Sequence, residues 1–223
     1  MILIPVKNLA FAKQRLAPVL DQTRRTELAH AMLEDIFDAI ACAPSKPPAA
    51  VVTGDAFATA LARRHGFQVI ADNENAGETE AIAMATSVCQ QRGAGFTLVL
   101  PGDIPLITPA EIEAILSAAP TEGTVLVPAA DGRGTNAVLR SPPALFPLRF
   151  GNDSFEPHRA AAEATGKPCV ILKLPGIALD VDNGADASLL LDREVTSRAQ
   201  KLLRQWDIAK SWKASTRAES SGR

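Results

Sequence analysis

Two acidic clusters are the residues of this 223-residue chain best suited to chemistry. Asp103 follows the apolar run 96–100, and Asp180 and Asp182 end a second apolar run, 177–181. If both runs are strands of an α/β sheet, their ends lie at the edge where such sheets bind ligands. Three carboxylates at one edge would repel one another, and a divalent cation such as Mg²⁺ would relieve that repulsion. The sequence therefore predicts a magnesium site at Asp103, Asp180 and Asp182, and chemistry on phosphates.

These carboxylates also have purely structural interpretations. Asp103 is placed to cap a turn, and either Asp182 or Asn183 is placed to cap the last helix. Asp180 and Asp182 alternate in an extended segment and share one face of it, with Val181 on the other. An arrangement in which one aspartate caps the helix while the other binds metal is also compatible with the sequence.

A basic loop follows the first apolar run of the chain. Lys7, Lys13 and Arg15 lie in this loop, where α/β folds present cations and backbone donors to phosphates. The loop has neither a G-x-G-x-x-G nor a P-loop pattern, which excludes dinucleotide and Walker-type binding. A solvated basic turn is the alternative interpretation.

The second half of the chain offers further donors for an anion. Thr135 lies in a glycine-containing turn, which alone is a weak signal. Residues 150–155, with Gly151 and Ser154, lead into a predicted helix whose free N–H groups and serine hydroxyl suit an anion. An ordinary N-cap is the alternative for Ser154, and His158, one turn later, is a candidate to face the same anion.

Composition narrows the class of protein. A net charge of −2 and a pI of about 5.9 do not provide the basic face of a nucleic-acid-binding protein. The three cysteines have no metal-ligand spacing, which predicts free thiols in a reducing compartment. No apolar run approaches the ~20 residues of a membrane-spanning helix, and the N-terminus lacks the order of a signal peptide. The protein is therefore expected to be cytoplasmic, with neither nucleic acid nor a membrane as a partner.

Short apolar runs alternate with helical patterns, which predicts an α/β domain with a mostly parallel, twisted sheet flanked by helices. Strands are expected at 2–6, 49–53, 67–71, 96–100, 125–127, 170–174 and 177–181, and helices at 24–42, 55–65, 78–92, from 108 onward, 153–165 and 184–204. The glycine- and proline-rich region after residue 128 is expected to be an inserted cap over the ligand edge. Residues 1–205 are expected to form one domain, followed by a disordered tail, 206–223.

The ordered set of segments resembles one family, the phospholactate guanylyltransferases (CofC/FbiD type) that make the precursor of the deazaflavin coenzyme F-420. The matching segments are IPVKNLAFAKQRLAP, RTELAHAMLEDIFDAI, LVLPGDIPLI, DGRGTNAVL, FGNDSFEPHRAAAEATG and LDVDNGADASLLL, which cover nearly all of residues 1–191. The resemblance implies a single-domain, Rossmann-like nucleotidyltransferase fold. It also implies transfer of GMP from GTP to a three-carbon phospho acid (3-phospho-D-glycerate, 2-phospho-L-lactate or phosphoenolpyruvate), with release of pyrophosphate.

The resemblance also implies roles for individual residues. Catalysis would fall to Lys7, Lys13 and Asp103; nucleotide binding to Lys7, Lys13, Arg15, Gly77 and Gly102; substrate binding to Thr135, Gly151 and Ser154; and Mg²⁺ binding to Asp103, Asp180 and Asp182. The expected partners are GTP and the phospho acid, and a homodimer is an open alternative for the assembly. The chain departs from the family pattern at 76–82, where relatives usually carry a Gly-Leu-Asn-type sequence. That departure favours 3-phospho-D-glycerate, whose extra hydroxyl needs an additional polar partner.

Three alternatives remain at this point. The acceptor of a nucleotidyltransferase could instead be molybdopterin or a sugar phosphate, although the missing glycine-rich opening loop counts against this. A glycosyltransferase could use Asp180-Val181-Asp182 as its metal motif. A catalytically inactive guanine-nucleotide-binding regulator would retain the nucleotide site without turnover.

Overall fold

A computed structural model describes residues 1–74, 77–151, 153–194 and 196–208 of the chain. Within these ranges the strands are β1 (Ile2–Val6), β2 (Ala49–Thr53), β3 (Gln68–Ala71), β4 (Thr97–Val99), β5 (Gly123–Pro128), β6 (Thr135–Ser141) and β7 (Cys169–Ile171). The α-helices are α1 (Gln22–Ala41), α2 (Ala56–Arg64), α3 (Glu78–Gln91), α4 (Pro109–Ala118), α5 (Phe155–Ala164), α6 (Gly184–Leu191) and α7 (Arg198–Gln205).

The strands form one seven-stranded sheet in the order β3-β2-β1-β4-β6-β5-β7. The pairs among β3, β2, β1 and β4 are parallel, and β7 runs parallel to β5. Strand β6 runs antiparallel to both of its neighbours, β4 and β5. The prediction of an α/β fold with a mostly parallel sheet is confirmed.

Helices cover both faces of the sheet and enclose two hydrophobic clusters. In β1 the alternation of side chains sends Ile2 and Ile4 into the cluster beneath α1 and sends Leu3 into the cluster beneath α3, and all three are 0% exposed. A strand that is apolar on both faces is typical of a parallel strand covered by helices. Sequence-local signals place the helices: Thr108 and Glu111 form the predicted capping box of α4.

Three predictions for the second half of the chain were wrong, wholly or in part. Residues 135–141, assigned by the sequence to the inserted cap, form β6 near the middle of the sheet. This strand was not predicted because Gly134 and Pro142 flank it, and glycine and proline are typical of loops. The rest of the glycine- and proline-rich region, 142–151, connects β6 to the segment before α5.

Residues 177–181 are not a strand. Isolated backbone hydrogen bonds hold this segment instead of a ladder: Ala130 N–H donates to Ala178 O at 2.8 Å, and Val181 N–H donates to Asp103 O at 3.1 Å. An apolar run of five residues does not distinguish a buried extended loop from a strand, which explains the error.

The predicted helix 184–204 is two helices, because Ser197 caps a new helix by accepting the N–H of Gln200. Ile208 is 1% exposed, so the core extends to that residue. The predicted tail from 209 onward lies outside the described residues. All three cysteines are free thiols, as predicted. Among the described residues, no helix has the length and apolar character required to cross a membrane.

Candidate functional site

Strand direction determines where the candidate site lies. The parallel strands β1 and β4 end at the same edge of the sheet, and the segments that follow them carry the basic loop and Asp103. Because β6 is antiparallel to β4, it begins at that edge, and its first residues are Thr135 and Asn136. One strand reversal therefore brings polar residues from the start of β6 to the carboxylate at the end of β4.

Two adjoining cavities open at this edge. The first cavity, of about 710 Å³, is lined by Thr135, Gly151, Ser154 and Asp180 among other residues. The second cavity, of about 420 Å³, is lined by the basic loop with Lys7, Lys13 and Gly102. The cavities share Arg15, Glu78, Pro101, Asp103 and Asp182. Both volumes fall in the range of small-molecule sites.

Lys13 lies between two of the predicted metal ligands. Its Nζ is 2.7 Å from Asp103 Oδ2 and 3.0 Å from Asp182 Oδ1, and its side chain is 8% exposed. The backbone of Lys13 has a φ of 55°, in the left-handed region, which costs a residue other than glycine about 1 kcal/mol. Such strain persists where surrounding contacts enforce it, and it is concentrated at functional sites.

These ion pairs shift the pKa of both partners. Burial alone would lower the pKa of the Lys13 ammonium, but Asp103 and Asp182 outweigh burial and raise it. Burial would raise the pKa of the Asp182 carboxyl, but Lys13 and Arg15 hold it below its usual value. Lys13 therefore keeps its positive charge above neutral pH, and Asp182 keeps its negative charge below neutral pH.

Asp180 has a different environment. Burial raises the pKa of its carboxyl, and the negative charges of Asp103 and Asp182 raise it further, against the hydrogen bond that it accepts from Asn136. The Asn136 amide donates at 3.0 Å to Asp180 Oδ1 and also to Ile177 O and Ala178 O. Asn136 thus holds the segment that carries the acidic pair, although nothing in the sequence pattern singles it out beyond its place beside Thr135.

The structure resolves the capping alternatives for the acidic pair. Asn183 caps α6, accepting from Ala185 N–H and Asp186 N–H and forming a capping box with Asp186. Asp182 instead pairs with Lys13, and Val181 between the two aspartates is 0% exposed. The alternation of side chains along the segment is therefore as expected, with both carboxylates lining the first cavity.

The three predicted metal ligands line one cavity, yet they do not form a preassembled metal cage. Over the described ranges, no three His, Cys, Asp or Glu side chains are arranged to hold a metal ion. The ammonium of Lys13 lies where Asp103 and Asp182 would share a cation. Burial first, and then the charges of Asp103 and Asp182, raise the pKa of Asp180, and the three carboxylates are hard oxygen donors of the kind that a divalent cation prefers.

Glu78 is a site residue that the sequence analysis did not select. It opens α3, lines both cavities, and has a pKa raised to about 7 by burial and by Asp103, with Lys7 opposing. The predicted nucleotide residue Gly77 lines neither cavity as described but caps α3 with a φ of 149°. Residues other than glycine rarely adopt this positive φ, which explains why glycine begins α3.

Thr135 and Ser154 form a buried hydroxyl pair at one wall of the first cavity, and they are 7% and 4% exposed. Thr135 N–H donates to Ser154 Oγ at 3.1 Å, and the two hydroxyl oxygens are 3.3 Å apart. His158 lies behind them, 1% exposed, with Nδ1 3.0 Å from Thr135 Oγ1. Gly151, with a φ of 135°, has open space where a side chain would be.

The expected anion seat at the start of α5 differs in detail. Ser154 is at the N-cap position, but its side chain makes no capping hydrogen bond. The N–H of Phe155 donates to Arg133 O at 2.9 Å, so this amide is not free to bind an anion. The hydroxyl pair, not the helix terminus, is the donor group that Ser154 contributes to the cavity.

The cations of the basic loop are spread over both cavities. Arg15 is 64% exposed and lies 3.7 Å from Asp182 Oδ2. Lys7 is exposed and lines the second cavity with Gly102. Arg133 pairs with Asp153 at the rim of the first cavity, an interaction that no sequence signal predicted. The loop is therefore part of the cavity wall, not a solvated turn remote from it.

Comparisons with known proteins agree with this geometry. Residues 1–221 match the family described as guanylyl transferase CofC-like. The chain is 34% identical over 190 residues to the phosphoenolpyruvate guanylyltransferase of Conexibacter woesei, covering 84% of this chain and 85% of that protein. It is 31% identical over 204 residues to the 3-phospho-D-glycerate guanylyltransferase of Colwellia psychrerythraea, covering 90% and 96%.

Among solved structures, the fold is similar to a crystal structure from Desulfovibrio desulfuricans G20, which is described as a "putative nucleotide-diphospho-sugar transferase". That similarity has a TM-score of 0.77 at 18% identity and covers 94% of this chain and 96% of the other. At such low identity it supports the fold alone. The family match and the curated relatives carry more: the chain belongs to the guanylyl transferase CofC-like family, and it is a nucleotidyltransferase.

Proposed function

We propose that this enzyme transfers GMP from GTP to a phosphate oxygen of a three-carbon phospho acid, releases pyrophosphate, and serves the biosynthesis of coenzyme F-420. The observation that carries the proposal is a pair of adjoining cavities that share Asp103 and Asp182, in a chain whose relatives are named guanylyltransferases. Two substrates in adjoining cavities would have their reacting groups at the shared wall.

The two cavities suit different ligands. The second cavity is lined by Lys7, Lys13 and Gly102 and continues over apolar residues such as Met32, which suits a nucleotide with its phosphates toward the carboxylates. The first cavity presents the hydroxyl pair of Thr135 and Ser154 and the open space beside Gly151, which suits a small anion. We therefore assign GTP to the second cavity and the phospho acid to the first.

The reaction needs positioning more than proton transfer. A phosphate monoester is already an anion at neutral pH, because its second pKa is about 6, so its oxygen attacks without a general base. The bond from that oxygen to the α-phosphorus forms in line as the bond to the bridging oxygen of the leaving pyrophosphate breaks. The chain's task is to bring two anions together, with Lys7 and Lys13 as fixed positive charges and the hydroxyl pair orienting the acceptor.

We include Mg²⁺ in the proposal, held by Asp103, Asp180 and Asp182. The support is chemical: all three carboxylates line one cavity, and burial, together with the charges of Asp103 and Asp182, raises the pKa of Asp180. When bound, a divalent cation would neutralise developing charge on the phosphoryl oxygens. Lys13 would then release at least one aspartate, since its ammonium lies between Asp103 and Asp182.

The acceptor remains a choice among three acids. Relatives carry names with phosphoenolpyruvate and with 3-phospho-D-glycerate. Glu78 lines the same cavity as Thr135 and Ser154, which provides a polar partner for the extra hydroxyl of 3-phospho-D-glycerate. That acid is therefore the first to test.

The direct test is pyrophosphate release. Purified enzyme is incubated with each of four nucleoside triphosphates and each of the three phospho acids, with Mg²⁺ or with a chelator. We expect release with GTP, with one preferred acid, and only when Mg²⁺ is present. Release with no combination would reject the proposal, and release with a sugar phosphate in place of every acid would move the enzyme to a different acceptor class.

A further inference from the structure

The tautomer of His158 follows from its two hydrogen bonds. Arg149 N–H donates to His158 Nε2 at 2.9 Å, which occupies the ring's lone pair at that nitrogen. Burial, with the nearby charge of Arg140, lowers the pKa of His158 to about 4, so the ring is neutral at neutral pH. A neutral ring with Nε2 as acceptor carries its proton on Nδ1, which therefore donates to Thr135 Oγ1 at 3.0 Å.

The hydroxyl pair then has two O–H protons, but only one of them can donate a hydrogen bond within the pair. Thr135 Oγ1 accepts from His158, and Ser154 Oγ accepts from Thr135 N–H. The two hydroxyls carry two protons, and the 3.3 Å contact between their oxygens can use only one of them. The other O–H is left to point away from the pair, and the first cavity, which both residues line, is where it can point.

We propose that His158 is a positioning residue that makes the Thr135–Ser154 pair a permanent net donor to the phospho acid. This inference rests on the proposed function, because it concerns the cavity assigned to the acceptor. His158 itself does not act on the substrate: it lies behind the pair, and its lone pair is engaged by Arg149 N–H. Without the Nδ1–H, Thr135 Oγ1 is free to turn its proton inward, and the cavity then meets oxygen lone pairs in place of an O–H.

Among the described residues, none of the groups recorded around His158 competes with Thr135 for this proton. The ring of Phe150 packs edge-on at 5.2 Å between centroids, and Arg140, on β6, can only donate. The two terminal nitrogens of Arg140 donate to Phe146 O and Thr86 Oγ1, and none of the three guanidinium nitrogens can accept a proton from Nδ1. The donor role of Nδ1 toward Thr135 is thus determined by both sides of the ring.

Two substitutions separate the donor at Nδ1 from the volume of the ring. Asparagine at 158 places an amide N–H near the position of Nδ1 and so retains a donor for Thr135. Glutamine reaches the position of Nε2 and retains an acceptor for Arg149 N–H but leaves Thr135 without its donor. We expect His158→Gln to raise the KM for the preferred phospho acid about 10-fold, with the KM for GTP unchanged within twofold, and His158→Asn to stay within about threefold of wild type.

A matched control shows whether lost stability alone has this effect. His65 pairs with Asp38 at 2.9 Å, and neither residue lines the two cavities at the site. His65→Asn should lower the Tm and leave both KM values unchanged. If His158→Gln and His158→Asn raise the KM for the acid equally, or if neither does, His158 has no positioning role and the inference is overturned.

A measurement without turnover separates this inference from the proposed function. Nitrogen-15 NMR of the wild-type enzyme should show His158 protonated at Nδ1 and not titrating above pH 5. Calorimetry without nucleotide should show that 3-phospho-D-glycerate, phosphoenolpyruvate or inorganic phosphate binds wild type about 10-fold more tightly than His158→Gln. If that holds while no acid releases pyrophosphate from GTP, the proposed reaction fails and the inference stands. A proton on Nε2, or no binding of any of these anions, overturns the inference whatever the turnover.

Discussion

The carboxylate cluster around Lys13 and the hydroxyl pair in front of His158 line the same cavity. They differ in what stabilises their buried polar groups: charged partners in the first and neutral partners in the second. At the first, Asp103, Asp182 and Lys13 are charged groups that compensate one another, with Asp180 left partly uncompensated. At the second, Thr135, Ser154 and His158 hydrogen-bond to neutral groups, and one hydroxyl proton is left for the cavity. The charged cluster should therefore respond to metal, salt and pH, and the neutral cluster should not.

The largest expected effect on activity comes from removing one charge from the carboxylate cluster. Asp103→Asn removes a candidate metal ligand and one partner of Lys13, so we expect the rate of pyrophosphate release to fall by about 10³-fold. The Tm of the variant, measured in parallel, shows that it is folded. Retention of more than a tenth of the wild-type rate would mean that Asp103 takes no part in the reaction.

Glu78 tests the pH response of the charged side. Its pKa is raised from 4.5 to about 7 by burial and by Asp103 and Asp182, so between these pH values the folded protein binds a proton that the unfolded chain lacks. The free energy of unfolding therefore falls as pH rises through this window. Glu78→Gln should match wild type below pH 4.5 and exceed it by up to about 3 kcal/mol above pH 7.

Urea denaturation at pH 4, 6 and 8 in the presence of a chelator measures this difference. Glu80→Gln, an exposed residue on the same helix, is the matched control and should follow wild type at all three pH values. A stability gain for Glu78→Gln that is the same at every pH would show that the carboxyl is not held neutral by its surroundings.

The neutral side should respond to shape and hydrogen bonding alone. Thr135→Val keeps the volume of the side chain and removes the hydroxyl, so the KM for the phospho acid should rise about 10- to 100-fold, while the KM for GTP stays constant. Thr135→Ser retains the hydroxyl and should lie close to wild type. An equal rise in both KM values would place Thr135 in a wall common to the two substrates and remove the distinction between the cavities.

The smallest expected effect is at the exposed rim of the charged cluster. Arg15 is 64% exposed and 3.7 Å from Asp182, a geometry in which an ion pair contributes under about 1 kcal/mol. Arg15→Gln should raise the KM for GTP about threefold at low salt, and the difference should disappear at high salt. Lys201→Gln, exposed on α7, should change neither value. A difference that persists at high salt would assign Arg15 a direct contact with the nucleotide.

Local patterns and strand direction account for what the sequence could predict. The strand β2 and the capping box of α4 depend on neighbours in the chain, and both match the structure residue for residue. Asp103, Asp180 and Asp182 line one cavity, as expected, but only Asp103 follows a strand. The segment with Asp180 and Asp182 is held there by the hydrogen bond from Val181 N–H to Asp103 O and by Asn136. Periodicity was therefore sufficient for β2 and for the position of Asp103, but not for the acidic pair.

Long-range pairings could not be predicted from such patterns. Lys13 lies 90 residues from Asp103 and 169 from Asp182, and no spacing indicates that one ammonium serves both. The strand β6 was missed because its flanking residues read as loop, and with it the roles of Asn136 and of Thr135 beside His158. Each of these depends on one reversed strand whose register is set by tertiary contacts.

The left-handed turn at Lys13 has a consequence for how the charge of a nucleotide is balanced. Its one ammonium is already shared by two carboxylates, so it offsets only part of the charge of a triphosphate that enters the neighbouring cavity. The carboxylates would repel a nucleotide without a bound cation, whereas a nucleotide with a bound cation would be repelled less. A divalent cation that accompanied the nucleotide would supply the remaining positive charge, and Asp103, Asp180 and Asp182 would be the residues to hold it, beside a lysine whose backbone is already in a left-handed conformation.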